Sequence, residues 1–182
     1  MLHQKVYSPR VAWLKFCLFL FLFLALFVWQ ISVQSAKAAT WTVCKTGGCN
    51  FTSIQSAINN GSVANGDTLS FTVNKETYTE TITLSKSLTF VGQTTAINAN
   101  DGGTAVIITG NPTVVMQNMI IQNGSVSGNG GGIRLSGGDL TLINVTLSSN
   151  DATGTGLGGG LYIASSGSEV QLTDVTIQTG TA

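Results

Sequence analysis

From Gly66 onward, apolar and polar residues alternate with a period of two in very short runs. Leu69-Ser-Phe71-Thr-Val73, Ile82-Thr-Leu84 and Leu88-Thr-Phe90 each set alternate apolar side chains on one face, with Thr and Ser between them. Gly, Asn, Ser and Thr separate the runs. The stretch before them follows another period. Phe51, Ile54, Ala57 and Ile58 fall on one face of a helix predicted over residues 50–60, with Thr52 or Ser53 as its cap and Asn59-Asn60-Gly61 as its stop.

The strand texture repeats. Gly130-Gly-Gly-Ile-Arg-Leu135 recurs downstream as Gly158-Gly-Gly-Leu-Tyr-Ile163. Leu140-Thr-Leu-Ile-Asn-Val-Thr-Leu147 recurs as Val170-Gln-Leu-Thr-Asp-Val-Thr-Ile177, and a weaker copy, Val114–Ile121, lies one period upstream. The period is roughly 25–30 residues, within the range of solenoid repeats. One repeat thus predicts three short strands, at Ile133/Leu135, Leu140/Leu142 and Val145/Leu147. Ile82/Leu84 and Val106/Ile108 match the first strand position, and Leu88/Phe90 the second. A β-sandwich also has short alternating strands, but it needs no fixed period with matching turn chemistry. A solenoid does, because each coil buries its apolar face only on its neighbours. The expected fold is all-β, a right-handed parallel β-helix with three strands per coil and a short capping helix.

Turn residues follow the same alignment. Asn150 stands opposite Gly124 and Gly180, residue types that tolerate positive φ, so a left-handed residue is expected at that turn. Slightly farther along come Val126, Ala152 and Ala182. Just before the third strand Asn118, Asn144 and Asp174 align, as an amide ladder at a tight turn requires.

Three segments are expected: a leader over 1–38, a cap over 39–65 and coils over 66–182. The leader has a basic head (Lys5, Arg10, Lys15), an uncharged apolar run from Phe16 to Trp29 and the small-residue site Ala36-Lys37-Ala38. The export machinery reads that order, which places cleavage between Ala38 and Ala39. The alternative is an uncleaved anchor, for which the run is short against the roughly 20 apolar residues of a span. Either way residues 39–182 are expected outside the cytoplasm, secreted or at the cell surface.

Without the leader, four cations (Lys45, Lys75, Lys86, Arg134) face eight carboxylates. A net charge of −4 with one arginine argues against nucleic acid as a partner. The one histidine, His3, belongs to the leader. Cys17 lies in the apolar run, which leaves Cys44 and Cys49 as a pair across Lys-Thr-Gly-Gly, either a disulfide or free thiols. Two thiols alone do not make a metal site.

The pieces Phe51-Thr-Ser-Ile-Gln-Ser-Ala-Ile58, Gly66-Asp-Thr-Leu69, Tyr78-Thr-Glu80 and Ile82–Gly92 resemble the opening of pectin-lyase-like β-helix proteins. There an amphipathic helix caps the first coil, and a Gly-Asp-Thr strand leads into a Tyr-Thr-Glu turn. The later Gly-Gly-Gly-Ile133 and Leu-Ser-Ser-Asn150 pieces resemble repeats of large bacterial surface proteins and, more loosely, of polymorphic outer-membrane proteins. The chain departs from the pattern at Asn74-Lys-Glu76, where these proteins often have Pro-Gly.

The resemblance implies a fold more than an activity. Pectinesterases of this kind use paired aspartates with an arginine, and lyases use calcium-binding carboxylate clusters with a basic residue. Here Arg134 stands without an aligned aspartate pair, and Asp139, Asp151 and Asp174 are spread over turns. No catalytic residue is assigned. Gly154-Thr-Gly-Leu-Gly-Gly159 matches a dinucleotide fingerprint formally, but it opens a strand and not a helix. No cofactor is expected. Calcium at Asp101-Gly-Gly103 or Gly138-Asp139 is the one metal reading, against solvated turn carboxylates. Tyr78 and Tyr162 have the chemistry to stack on sugars or simply to pack.

The expected role is a structural or adhesive scaffold that holds polysaccharide or another cell-surface component. The alternative is the leading part of a carbohydrate-active enzyme with catalytic coils beyond residue 182. The repeat stops midway at Ile177–Ala182 with no cap after it, as in a fragment of a longer surface protein. Residues 39–182 alone are therefore expected to self-associate through that end. A clean monomer by light scattering at high concentration would contradict this.

Overall fold

The computed structural model describes residues 37–178 together with Trp13 and Phe19. Most of the leader, Cys17, Gly180 and Ala182 lie outside the described residues. The chain divides into two compact units, Met1–Lys37 and Ala38–Ala182.

The second unit is a parallel β-helix of about five turns. Its opening is β1 (Thr40–Val43), α1 (Ile54–Asn59), β2 (Thr68–Phe71) and β3 (Thr77–Thr79). The coils proper follow as β4 (Ile82–Leu84) with β5 (Thr89–Asn98), and β6 (Val106–Ile108) with β7 (Thr113–Gln122) and β8 (Ser125–Val126). Next come β9 (Ile133–Leu135), β10 (Asp139–Ser148) and β11 (Asp151–Ala152), then β12 (Leu161–Ile163), β13 (Val170–Thr173) and β14 (Thr176–Gln178). Every pairing among these strands is parallel. The largest sheet runs β1-β2-β5-β7-β10-β13, with β3 beside β5 and β14 beside β10, while β4, β6, β9 and β12 form a second sheet and β8 with β11 a third.

Equivalent residues stack. Phe90, Met116, Leu142 and Leu172 share one register column, and Leu84, Ile108, Leu135 and Ile163 another. Ile133 and Leu161, predicted to occupy matching places, pair directly. The first three members of each column are fully buried, so every coil seals its interior against the next.

The second and third strands expected in each coil run as one ten-residue element with a corner in it. The corner residues are Asn118 (φ 55°) and Asn144 (φ 51°), and Asp174 (φ 53°) separates β13 from β14 in the same way. A left-handed residue breaks the two-residue alternation. Leu140 and Leu142 point inward before it, and Val145 and Leu147 after it, although the two pairs differ in parity. The short side chain of Asn tolerates this φ, and Asn144 Nδ2 donates to Asn118 Oδ1 over 2.9 Å. In β5 the corner is wider: Val91 pairs Gln117 and Thr95 pairs Met119, with Thr94 at φ 60° between them.

The other expected left-handed turn sits one position earlier than the sequence alignment puts it. Asn123 (φ 56°) and Ser149 (φ 51°) are left-handed, and Gly124 and Asn150 are not. Asn150 is instead a buried staple: its Oδ1 accepts from Gly124 N over 2.9 Å and its Nδ2 donates to Ile121 O over 2.8 Å. Gly124 is required by contact, since a methyl group there would overlap the carbonyl of Gly131. The Gly-Gly-Gly segments have the same origin: Gly132 N donates to Gly159 O and Ile133 N to Gly160 O, backbone against backbone.

The two ends differ. At the start Ile54, Ala57 and Ile58 of α1 are buried with Val43 over the first coil. Phe51, expected on the helix face, instead bridges Val43 as a strand residue and packs on Trp41. In the last coil Ile163, Leu172 and Ile177 are 44–53% exposed, whereas their register partners Leu135, Leu142 and Leu147 are fully buried.

Replacing Asn144 by Ala is expected to destabilise the fold by about 1–2 kcal/mol, because Ala keeps a Cβ in the left-handed region without the amide that lets Asn tolerate it. Asn144→Gly loses only the amide rung. Urea midpoints compare them; equal losses for Ala and Gly would refute the corner's role.

Candidate functional site

A dense polar constellation lies where the disulfide loop, α1 and β3 meet. Cys44 and Cys49 are joined in a disulfide with their Cα atoms 5.7 Å apart. The loop they close is tied down by Glu76, whose Oε1 accepts from Lys45 N over 2.9 Å and whose Oε2 accepts from the Tyr78 hydroxyl over 2.6 Å. Lys45 Nζ donates to Thr77 O over 2.9 Å.

Glu80 faces the exposed amides of the first turn of α1. It accepts from Ile54 N over 2.8 Å, Gln55 N over 3.0 Å and Ser53 Oγ over 2.9 Å. Ser53 completes the cap by accepting from Ser56 N. A helix this short cannot stand alone in water. It exists because Glu80 satisfies its free donors and the first coil receives its apolar face.

Beside this clamp is a shallow depression of about 240 Å³ lined by Lys45, Thr52, Ser53, Tyr78, Thr79 and Glu80. Its charged and phenolic groups are engaged elsewhere: Lys45 with Thr77 O, Tyr78 with Glu76, and Glu80 with Ser53 and the helix amides. Burial pushes the Tyr78 phenol far above its ordinary value, and the hydrogen bond and charge of Glu76 with the charge of Glu80 push it further. It stays a protonated donor. Glu76 and Glu80 thus work here as a structural clamp on the disulfide loop and on α1.

Asp67 forms a second knot, beside the strand that opens the first coil. It is buried, and its oxygens accept from Ala39 N, Trp41 Nε1 and Ala64 N over 2.8–2.9 Å. Burial pushes its carboxyl up, but the bonds from Ala64, Trp41 and Ala39 and the charge of Lys86 outweigh it and hold the group below the usual carboxylate value.

The remaining residues singled out by sequence are dispersed. Arg134 and Tyr162 are register partners on the outer face of the second sheet. Tyr78 is core, its ring edge-on to Phe71 with centroids 5.5 Å apart. Asp139 is a turn staple, accepting from Glu169 N over 2.9 Å. Asp101 sits left-handed at φ 58° beside Gly102 and Gly103. Gly154–Gly159 opens the strand β12, with no helix after it among the described residues. Among the described residues no three His, Cys, Asp or Glu side chains come together to hold a metal ion, and no helix is long and apolar enough to cross a membrane. Ala38 is exposed, and Ala39 is held by Asp67 and Thr68.

Comparisons with protein-family models, with curated proteins and with solved structures return no match.

Asp67 makes stability depend on acid. Its folded-state pKa lies below the unfolded one, so its contribution is complete above the ordinary carboxylate range. That contribution is lost as pH falls through the folded value. The wild type is expected to lose more stability than Asp67→Asn between pH 6 and 3 in urea titrations. Parallel losses would refute the assignment.

Proposed function

We propose that the chain is an exported, pectin-lyase-like β-helix acting as a secreted or cell-surface scaffold. It holds polysaccharide or another cell-surface component along the outer side of its largest sheet. The observation that carries this reading is the chemistry of that face. Thr89, Val115, Thr141 and Gln171 form one outward column in register, and Asn98, Gln122, Ser148 and Gln178 another. None of them is charged.

Successive coils repeat these groups at about 4.8 Å. Hydroxyls and amides both donate and accept, as sugar hydroxyls do. The parallel ladder beneath keeps them in place, so little side-chain order has to be gained on binding. The net charge of −4 beyond the leader favours a neutral polymer over an acidic one. The Cys44–Cys49 disulfide supports an oxidising compartment, as the basic-apolar-small order of the leader supports export.

The test is a polysaccharide array with the exported protein, followed by affinity electrophoresis of variants. Gln122→Ala and Gln171→Ala are each expected to weaken binding roughly fivefold, the equivalent of about 1 kcal/mol for one hydrogen bond. Arg134→Ala, on another face, leaves it unchanged. Binding to no polymer, or binding indifferent to both glutamines, would refute the reading; breakdown of a bound polymer would favour the enzyme instead.

A further inference from the structure

Ala39 stands at the start of the coil and at the end that leader removal would create. Its nitrogen donates to Asp67 Oδ1 over 2.8 Å, and its carbonyl accepts from Thr68 N over 2.8 Å. Lys37 and Ala38 before it are exposed and carry no regular structure. Asp67 itself is 4% exposed. It receives three neutral N–H groups, and among the described residues no cation is hydrogen-bonded to it. Lys86 acts on it only at a distance, its ammonium being committed to Asn60 O and Val63 O over 2.8 Å each.

We propose that hydrolysis of the Ala38–Ala39 bond converts this contact into a salt bridge between the new α-ammonium of Ala39 and the buried carboxylate of Asp67. Water adds across the amide, the C–N bond breaks, Ala38 keeps the carboxylate, and the freed amine of Ala39 takes up a proton. Leader removal then fastens the mature chain's own start to its first coil. The inference rests on the export reading above.

The geometry asks for no rearrangement. One donor already points at Oδ1, and a charge-assisted bond is roughly twice as strong as a neutral one. A buried ion pair usually suffers from the desolvation of both partners. Here the carboxylate is buried and ionised before cleavage as well as after it, so only the ammonium's share is new. Asp67 from the loop before β2 is bonded to that nitrogen and favours its charge, and Lys86 from the turn before β5, which acts on the same carboxylate, opposes it.

The sign of the pH dependence follows. A carboxylate partner raises the α-amino pKa in the folded state above the unfolded value of about 7.7–8.0. The added stability is complete below that value and is lost as pH rises through the folded one.

The test uses the exported protein, with its end identified by intact mass and N-terminal sequencing. Thermal unfolding from pH 6 to 10 is then compared for the free and the Nα-acetylated forms. The expected end is Ala39. The free form is expected to lose about tenfold in folding constant, relative to the acetylated form, for each unit by which the pKa is raised. Asp67→Asn is expected to abolish that difference. Should this variant fail to fold, an NMR titration of the Ala39 amine in the wild type reads the same pKa. An exported protein that keeps its leader or ends elsewhere overturns the proposal and leaves export standing. An end at Ala39 with superimposable pH profiles, or an amine titrating at its free value, overturns the salt bridge alone. Failure to leave the cytoplasm removes both.

Discussion

Everything in this molecule depends on repeated reversal of side-chain parity at a left-handed corner. A β-strand points alternate residues to opposite faces. An unbroken strand over the length of β10 would therefore send Leu140 and Leu142 inward and Val145 and Leu147 outward. Asn144 at φ 51° removes the conflict, and both pairs lie in the core. Asn118 does the same one coil earlier, and the two amides are hydrogen-bonded to each other. Corners that recur once per coil stack, and stacked corners keep the columns between them in register.

A stack of this kind has two ends, and each apolar cross-section needs a cover. At the first, α1 supplies it and Glu80 from the coil beneath holds it in place, while Asp67 ties Ala39, Trp41 and Ala64 to the start of β2. An aromatic cluster lies there too, with Phe71 against Tyr78 and Phe90. Farther along, the interior becomes aliphatic and repetitive, and in the last coil its side chains are half exposed. Chemistry that fixes one conformation is concentrated at the start, and chemistry that repeats occupies the rest. A solenoid whose coils meet only their neighbours is built in this way.

Much of this was legible in the sequence, because periodicity survives without knowledge of partners. The helix, the repeating coil and the aligned Asn118, Asn144 and Asp174 follow from spacing alone. The second turn was displaced by one position because Asn and Gly have two uses that sequence does not separate. Gly124 is there for lack of a Cβ against Gly131, and Asn150 for its amide, while Asn123 and Ser149 carry the unusual φ. The roles of Asp67 and Glu80 were hidden for another reason. Their partners are mostly backbone N–H groups in distant parts of the chain, and backbone donors leave no trace in residue identity. The outer face escapes notice in the same way, because residues such as Thr141, Gln171, Gln122 and Ser148 read as ordinary strand polarity until register lines them up.

The register itself can be tested by engineered disulfides on outward positions. Ile120 and Thr146 are adjacent across β7 and β10, within the span a disulfide bridges. Cysteines at these two positions should close quantitatively in the folded protein, located by peptide mapping under non-reducing conditions, with unfolding still cooperative. A pair displaced by one half-coil, Ile107→Cys with Thr146→Cys, should stay reduced. Closure of the displaced pair, or free thiols at 120 and 146, would contradict the stacked-coil account.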